Sequence, residues 1–311
     1  MTRITTERAE QAPSRTTRSA MKTIDTPEPI SVTLEIGVGD IRITADDRTD
    51  TIVEILPSNP SKKGDVTAAE QTRVEFSGGR LIIKAPKGWR HLTPWGGGES
   101  IDIRIDLPAG SDLRGDAAVA TLHSVGRLGE CRYKTSVGDI HIDQADSAEL
   151  RTVAGDLDVN RVHGGGEFTA GSGAISIGAV DGSAIVKNSN GETWIGTVAG
   201  DLRVNAANGR IVVDHSQANV MAKTANGEIR LGRVARGAIV AETAYGAIDI
   251  GIRDGVPAWL DLSTSYGNVR NSLEAAERPE PGEGAIEVRA QTSFGDISVS
   301  RSIGFDIEEE A

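Results

Sequence analysis

The sequence predicts an all-β fold: a parallel β-solenoid (β-helix-like) with rungs of ~18 residues, preceded by an irregular β-rich N-terminal section. Three observations carry this expectation. A phrase of glycine, one variable residue and an alternating apolar pair recurs as Gly138-Asp-Ile-His-Ile, Gly155-Asp-Leu-Asp-Val, Gly173-Ala-Ile-Ser-Ile, Gly191-Glu-Thr-Trp-Ile, Gly209-Arg-Ile-Val-Val, Gly227-Glu-Ile-Arg-Leu and Gly246-Ala-Ile-Asp-Ile. The positions of these glycines are almost evenly spaced, and a fixed period marks one structural unit stacked on itself. The composition agrees: aromatics make up 4% of the chain and glycine supplies 37 of 311 residues, which suits a thin core between sheets.

Taken in order, residues 1–27 are polar and lack a sustained apolar period, so they are expected to be disordered. Met21 is a candidate natural start alongside Met1. Residues 28–110 form the irregular β-rich section. Val32, Leu34 and Ile36 alternate with polar residues, Ile41 and Ile43 follow Gly39-Asp40, and Ile52–Leu56 is stopped by Pro57 and Pro60. Residues 65–73 are the one helix candidate, with Asp65 as N-cap ahead of Ala, Glu and Gln. Val74–Phe76, Leu81–Lys84 and Ile101–Leu107 read as strands, the last two separated by a Gly- and Trp-containing loop from Pro86 to Gly98.

Residues 111–302 are the repeat array. Counting from the anchoring glycine, positions +2 and +4 are apolar in most rungs, +7 is often valine, and the second half of the rung alternates again at +11 and +13. Each rung thus holds two short strands whose apolar pairs face each other across a narrow core. Glycine at the start of the phrase supplies the positive φ of a tight corner, and the Asn-Gly pairs at 190–191, 208–209 and 226–227 fit the same role. The period loosens at the end, where the interval from Gly246 to Gly267 is longer and that from Gly267 to Gly295 longer again. Glu274 to Gly284 reads as an excursion loop, and residues 303–311 as a solvated acidic tail. The irregular section is expected to cap one end of the stack, and the 274–284 loop with the C-terminal residues the other.

Thr135-Ser-Val-Gly-Asp-Ile-His-Ile, Thr152-Val-Ala-Gly-Asp-Leu-Asp-Val, Thr264-Ser-Tyr-Gly-Asn-Val and Thr292-Ser-Phe-Gly-Asp-Ile-Ser-Val share the form Thr-x-x-Gly-Asp-Ile-x-Ile. With Gly39-Asp-Ile-Arg-Ile and Ile105-Asp-Leu-Pro-Ala-Gly ahead of them, these phrases resemble the bacterial putative-adhesin β-strand-repeat family, a domain of unknown function, over roughly residues 25–302. The resemblance implies a solenoid-like β fold and an adhesin-like role, often with a membrane anchor.

Charge and residue chemistry bound the function. A net charge of −12 with scattered Lys and Arg argues against a nucleic-acid partner. No apolar run nears the ~20 residues of a membrane helix, and the polar start shows no secretory h-region, so a cytoplasmic protein without a membrane anchor is expected. Asp directly follows glycine at 40, 139, 156, 201 and 296, whereas calcium-binding β-rolls place it two residues after. Turn hydrogen bonding is therefore expected of these carboxylates, and no metal or cofactor. His91, His123, His141, His163 and His215 show no ligand spacing, although His141 and His163 could approach across neighbouring rungs. Cys131, the only cysteine, reads as a structural residue, and Asp46-Asp47 and Glu308–Glu310 as solvated pairs. The outward +3 positions hold no acidic triad of the kind a carbohydrate-active β-helix enzyme would need. Trp194 and Val212 share that column on consecutive rungs and are the candidate interaction residues, with Trp89, Trp95 and Trp259 in loops or strand ends. The expectation is a non-enzymatic interaction scaffold that binds a protein, itself or a carbohydrate. An extracytoplasmic adhesin or envelope-stress sensor is the alternative, and a carbohydrate-active β-helix enzyme a third class.

Overall fold

The structure, a computed structural model, describes residues 20–86, 99–273 and 285–302. The N-terminal section contributes β1 (Ala20–Asp25), β2 (Ser31–Asp46), β3 (Asp50–Pro57), α1 (Lys63–Gln71), β4 (Arg73–Ser77), β5 (Arg80–Lys84) and β6 (Ser100–Pro108). Next come β7 (Asp112–Val137), β8 (Ile140–Ala154), β9 (Leu157–Val162), β10 (Gly166–Ser172), β11 (Ile175–Val180), β12 (Ala184–Asn190) and β13 (Thr193–Val198). The array continues with β14 (Leu202–Asn208), β15 (Ile211–Ser216), β16 (Val220–Asn226), β17 (Ile229–Val234), β18 (Ala238–Tyr245) and β19 (Ile248–Ile252). β20 (Ala258–Tyr266), β21 (Val269–Asn271), β22 (Ile286–Phe294) and β23 (Ile297–Arg301) complete it.

The rungs build two facing stacks of parallel strands. The first runs β9, β11, β13, β15, β17, β19, and the second β10, β12, β14, β16, β18. Inward residues lie in register and form continuous buried columns. Ile177, Ile195, Val213, Leu231 and Ile250 line the first stack; Phe168, Val186, Val204, Ala222 and Ala241 line the second. Because strand side chains alternate faces, each apolar pair buries both members and leaves the intervening residue outside. The expected two-strand rung and its apolar pairs are therefore as read from the sequence.

The corner glycine is fixed by two constraints. Gly191 and Gly209 have φ of +145° and +141°, and a Cβ on Gly209 would lie 2.7 Å from the carbonyl carbon of Gly191 and closer still to its oxygen. Each corner glycine thus sits against the corner of the rung before it. The Asn before these glycines does something else than expected. Among the described residues only glycines have positive φ, and the asparagines instead form a side-chain ladder. Asn208 Nδ2 donates to Asn190 Oδ1 at 2.9 Å, and Asn226 Nδ2 to Asn208 Oδ1 at 2.8 Å. The amide acts here through its paired donor and acceptor and not through a left-handed backbone.

The remaining letters of the phrase also have partners. The Thr three residues before glycine points inward, and its hydroxyl donates to the corner carbonyl of the neighbouring rung. Thr152 reaches Gly138 O, Thr243 reaches Gly227 O and Thr292 reaches Gly246 O, each at 3.0 Å. Asn188 takes this position in its own rung and donates to Gly173 O at 3.1 Å, flanked by Ala170 and Ala206 that leave it room. The Asp after glycine accepts from the next rung's backbone: Asp139 from Asp156 N at 2.8 Å, Asp156 from Ala174 N at 2.7 Å, Asp296 from Asn268 N at 2.8 Å. Asp139, Asp156 and Asp296 thus accept backbone hydrogen bonds at the corners, as expected, but from the neighbouring rung and not from within their own turn.

Three details of the N-terminal section differ from expectation. Residues Ala20–Asp25, expected within a disordered stretch, form β1, which pairs antiparallel with β3. The helix spans Lys63–Gln71, not 65–73, and its N-cap is Lys62, without a side-chain cap. Asp65 lies inside the first turn, buried, where it accepts from Ser100 N at 3.1 Å and pairs with Lys62 Nζ at 3.0 Å. A carboxylate there favours the helix dipole equally well, so the residue type was informative and the register was not.

At both ends the order of strands in space departs from their order in the chain. At the N-terminal end β2 lies between β7 on one side and β5 and β6 on the other. At the C-terminal end β22 lies between β18 and β20, and β23 between β19 and β21. The long intervals from Gly246 to Gly267 and on to Gly295 therefore record a rung that leaves space for a later one. β20 and β21 are the outermost described rung at this end. The expected cap from the 274–284 loop and the acidic tail from 303 onward lie outside the described residues, as does the chain before Ala20.

Candidate interaction surface

The outward +3 column of the first stack places His123, His141, Asp158, Ser176, Trp194 and Val212 on successive rungs. Trp194 and Val212 are register partners, as the spacing indicated. Trp194 Nε1 donates to Asp214 Oδ2 at 3.1 Å, so the ring is tethered. It lies over Gly196, whose hypothetical Cβ would be 3.3 Å from the indole. A glycine in the strand gives the flat ring a place to lie against the sheet, and 37% of the residue remains exposed.

The histidines are arranged differently from the expected pairing. His141 stacks on His123, with ring centroids 4.6 Å apart and planes at 9°, and its Nδ1 lies 3.3 Å from Asp158 Oδ2. His163 contacts Asp181 and Gln144 instead, at 3.3 and 3.2 Å. His141 and His163 are separated along the strand direction, because His141 is in register with Asp158 and His163 follows Val162, the register partner of Ala145. His91 lies outside the described residues. Among the described residues no three His, Cys, Asp or Glu side chains are gathered closely enough to hold a metal ion.

Cys131 is fully buried, and burial pushes its thiol up to about 12. A thiol held protonated at neutral pH is a packing residue. A groove of about 580 Å³ on the first stack's outer face is lined by Gly232 and Gly251, which have no side chains to fill it. Arg230, Asp249, His215 and Ser298 border it. Asp249 is held above the usual carboxylate range by partial burial first and by the charge of Glu228 second.

Among the described residues, a column of exposed aromatic rings is one feature that the period-based reading passed over. Tyr245, Phe294 and Tyr266 each occupy the position just before a corner glycine, where earlier rungs carry asparagine. Their rungs are adjacent, so the three rings stack as one column: Tyr245 on Phe294 at 4.9 Å and 1°, Phe294 on Tyr266 at 4.8 Å and 5°. They are 56%, 44% and 69% exposed. Trp259, half exposed, starts the same terminal strand; Trp89 and Trp95 lie outside the described residues. A signal was present in the sequence, namely aromatic residues at glycine −1 in the last three phrases. It was hidden because Phe294 comes last in the chain but lies between the other two in space.

Comparison with known proteins places this architecture. The family model described as Toastrack DUF4097 matches residues 29–309. Solved structures similar to the chain include a putative adhesin from Bacteroides fragilis, 14% identical with a TM-score of 0.34, covering 93% of this chain and 99% of that one. A putative adhesin from Parabacteroides merdae is 12% identical with a TM-score of 0.39, covering 91% and 97%. A putative lipid binding protein from Parabacteroides distasonis is likewise 12% identical, with a TM-score of 0.35 and the same coverage. No curated protein matches the chain. The match over nearly the whole solenoid and its N-terminal section shows that the chain belongs to the Toastrack DUF4097 family.

Proposed function

We propose that this protein is a non-catalytic, adhesin-like interaction scaffold that presents a protein-binding surface at the C-terminal end of its solenoid. The observation that carries the reading is the exposed stack of Tyr245, Phe294 and Tyr266. Aromatic residues make up only 4% of this chain, and large rings clustered in solvent are characteristic of contact surfaces. Tyrosine combines apolar area with a hydroxyl that hydrogen-bonds at a rim, so the complementary partner is a protein surface with apolar side chains and polar groups around them. The ladders of asparagine, threonine and aspartate hold this surface on a rigid frame, which lowers the entropy cost of binding. Trp194 and Val212 form a second, smaller apolar patch on the first stack.

The test starts from capture on the immobilised chain from a lysate of the producing bacterium, followed by titration with the captured protein in purified form. Phe294→Ser is expected to weaken binding at least about tenfold, as loss of a central contact ring does. An unchanged affinity would overturn the assignment. Fractionation of producing cells tests the accompanying proposal of a cytoplasmic location, and recovery at the cell surface would favour an extracytoplasmic adhesin.

A further inference from the structure

The asparagine ladder sits on reactive chemistry. An Asn-Gly pair is prone to intramolecular imide formation, because glycine has no side chain to shield its backbone nitrogen. The pair occurs in the chain at 190–191, 208–209 and 226–227. Asn190, Asn208 and Asn226 are exposed, so water reaches each of them. The reaction needs nothing beyond the chain and water. The glycine nitrogen attacks Cγ of the preceding side chain; the N–Cγ bond forms, the Cγ–Nδ2 bond breaks, and ammonia leaves with the glycine amide proton. Water then opens the cyclic imide at either carbonyl and leaves aspartate or isoaspartate.

Both reacting groups are restrained in the folded solenoid. Each nucleophile is tied to the next rung. Gly191 N donates to Asn208 O at 3.0 Å, Gly209 N to Asn226 O at 2.8 Å, and Gly227 N to Tyr245 O at 2.8 Å. Each side-chain amide is tied to the rung before. Asn208 Nδ2 donates to Asn190 Oδ1 at 2.9 Å, Asn226 Nδ2 to Asn208 Oδ1 at 2.8 Å, and Asn190 Nδ2 to Gly171 O at 3.4 Å. Attack requires the nitrogen and Cγ to approach to about 3 Å in an aligned geometry. The two groups are held by opposite neighbours, so a corner must give up both sets of bonds before it can react.

We propose that Asn190, Asn208 and Asn226 are latent deamidation sites, closed while the rungs are stacked and opened when a corner loses the bonds to its neighbours. This inference is independent of the partner reading. The ladder grades the three sites. Asn208 is bonded through its side chain on both sides. Asn226 ends the ladder, because its register partner on the next rung is Tyr245, and Asn190 keeps only the longer bond to Gly171 O below it. Asn208 is therefore the slowest of the three in the folded chain. Restacking cannot undo the change. A Cβ on Gly227 would already lie 2.6 Å from the carbonyl carbon of Gly209, so the corner has no room for the extra backbone methylene of an isoaspartate. A plain aspartate at 208 would set oxygen against oxygen where Asn208 Nδ2 now donates to Asn190.

Peptide mapping by mass spectrometry of the full chain, incubated in mildly alkaline buffer, tests the proposal, with enzymatic methylation of isoaspartate as a second readout. All three pairs are expected to react in urea, and at least about tenfold more slowly in the folded chain, where reaction waits on local opening. Asn208→Ala removes the bond made by Asn226 Nδ2 and is expected to speed reaction at Asn226 at least about threefold, with the circular dichroism of the folded protein retained. Val299→Ala, a buried substitution on another rung, is expected to leave the rate at Asn226 as in the wild type. Equal rates in the folded chain and in urea overturn the proposal, and so does the lack of reaction in urea. An unchanged rate at Asn226 in Asn208→Ala, or an equal rise in Val299→Ala, overturns the protective role of the ladder.

Discussion

Gly209→Ala probes the physical basis of the repeat most directly. Two separate penalties apply at this residue. The φ of +141° is one that an L side chain rarely adopts, costing about 1–3 kcal/mol. The new methyl carbon would also lie 2.7 Å from the carbonyl carbon of Gly191, inside the contact distance of backbone that is itself held at a corner. Overpacking of this kind adds about 1–3 kcal/mol, giving about 2–6 kcal/mol in total. Gly255→Ala separates the two. Its φ is +75°, yet nothing lies within 4 Å of a Cβ built there, so only the backbone strain of about 1–3 kcal/mol applies. Urea unfolding followed by circular dichroism reads both variants, and Gly209→Ala should unfold at lower urea by an amount equal to the clash. Because each rung contacts only its neighbours, a break at Gly209 is also expected to divide the transition into two steps. If Gly209→Ala and Gly255→Ala were equally mild, close stacking of successive corners would not be the reason for the glycine period.

Other substitutions address the ladders and the titrating groups. Asn208→Ala removes both amide bonds to Asn190 and Asn226 and is expected to cost about 1 kcal/mol in the same unfolding assay, since exposed hydrogen bonds have small net worth. Cys131, fully buried with its thiol pushed up to about 12, is expected to resist a thiol reagent at pH 8 in the native protein and to react in guanidinium. Asp249 is held above the usual carboxylate range by burial and then by Glu228, so the folded state retains its proton to higher pH than the unfolded chain. Its charged form therefore destabilises the fold near neutral pH, and that cost disappears as pH falls below the unfolded value. Asp249→Asn is expected to raise the urea midpoint at pH 7 and to lose its advantage in acid. Trp194→Ser is expected to reduce partner affinity less than Phe294→Ser, because the Trp194 patch is a single tethered ring.

The solenoid was legible because the same short-range physics is repeated in every rung. Ile175 and Ile177, like Ile211 and Val213, announce a buried strand face by alternation alone, and glycine announces the corner. The positions whose partners lie one rung away were less legible. Asn190, Asn208 and Asn226 suggest a turn when read singly and are a ladder only when stacked. Asp65 looked like an N-cap because residue type, not register, dominates that inference. Of the interaction surface, Trp194 and Val212 were found through a constant period. Tyr245, Phe294 and Tyr266 were not, because the period breaks where they meet.

That break has an energetic meaning at both ends. The long strand of the N-terminal section, β2, and the last array strands, β22 with β23, are each tucked one layer inside, and the strands outside them are formed by intervening chain. Edge elements open at low free energy, so this routing keeps the described ends of the array off the weakest positions. Two valines of the first stack distinguish spatial order from chain order. Val299 on β23, near the chain's end, is fully buried, whereas Val269 on β21, earlier in the chain, is 45% exposed. Val299→Ala should therefore cost about 2 kcal/mol, from two buried carbons and a small cavity, and Val269→Ala well under half of that. If layers followed the chain, β23 would be the outer rung and the ranking would reverse. Urea midpoints of the two variants decide between the orders, and a costlier Val269→Ala would refute the inserted rung.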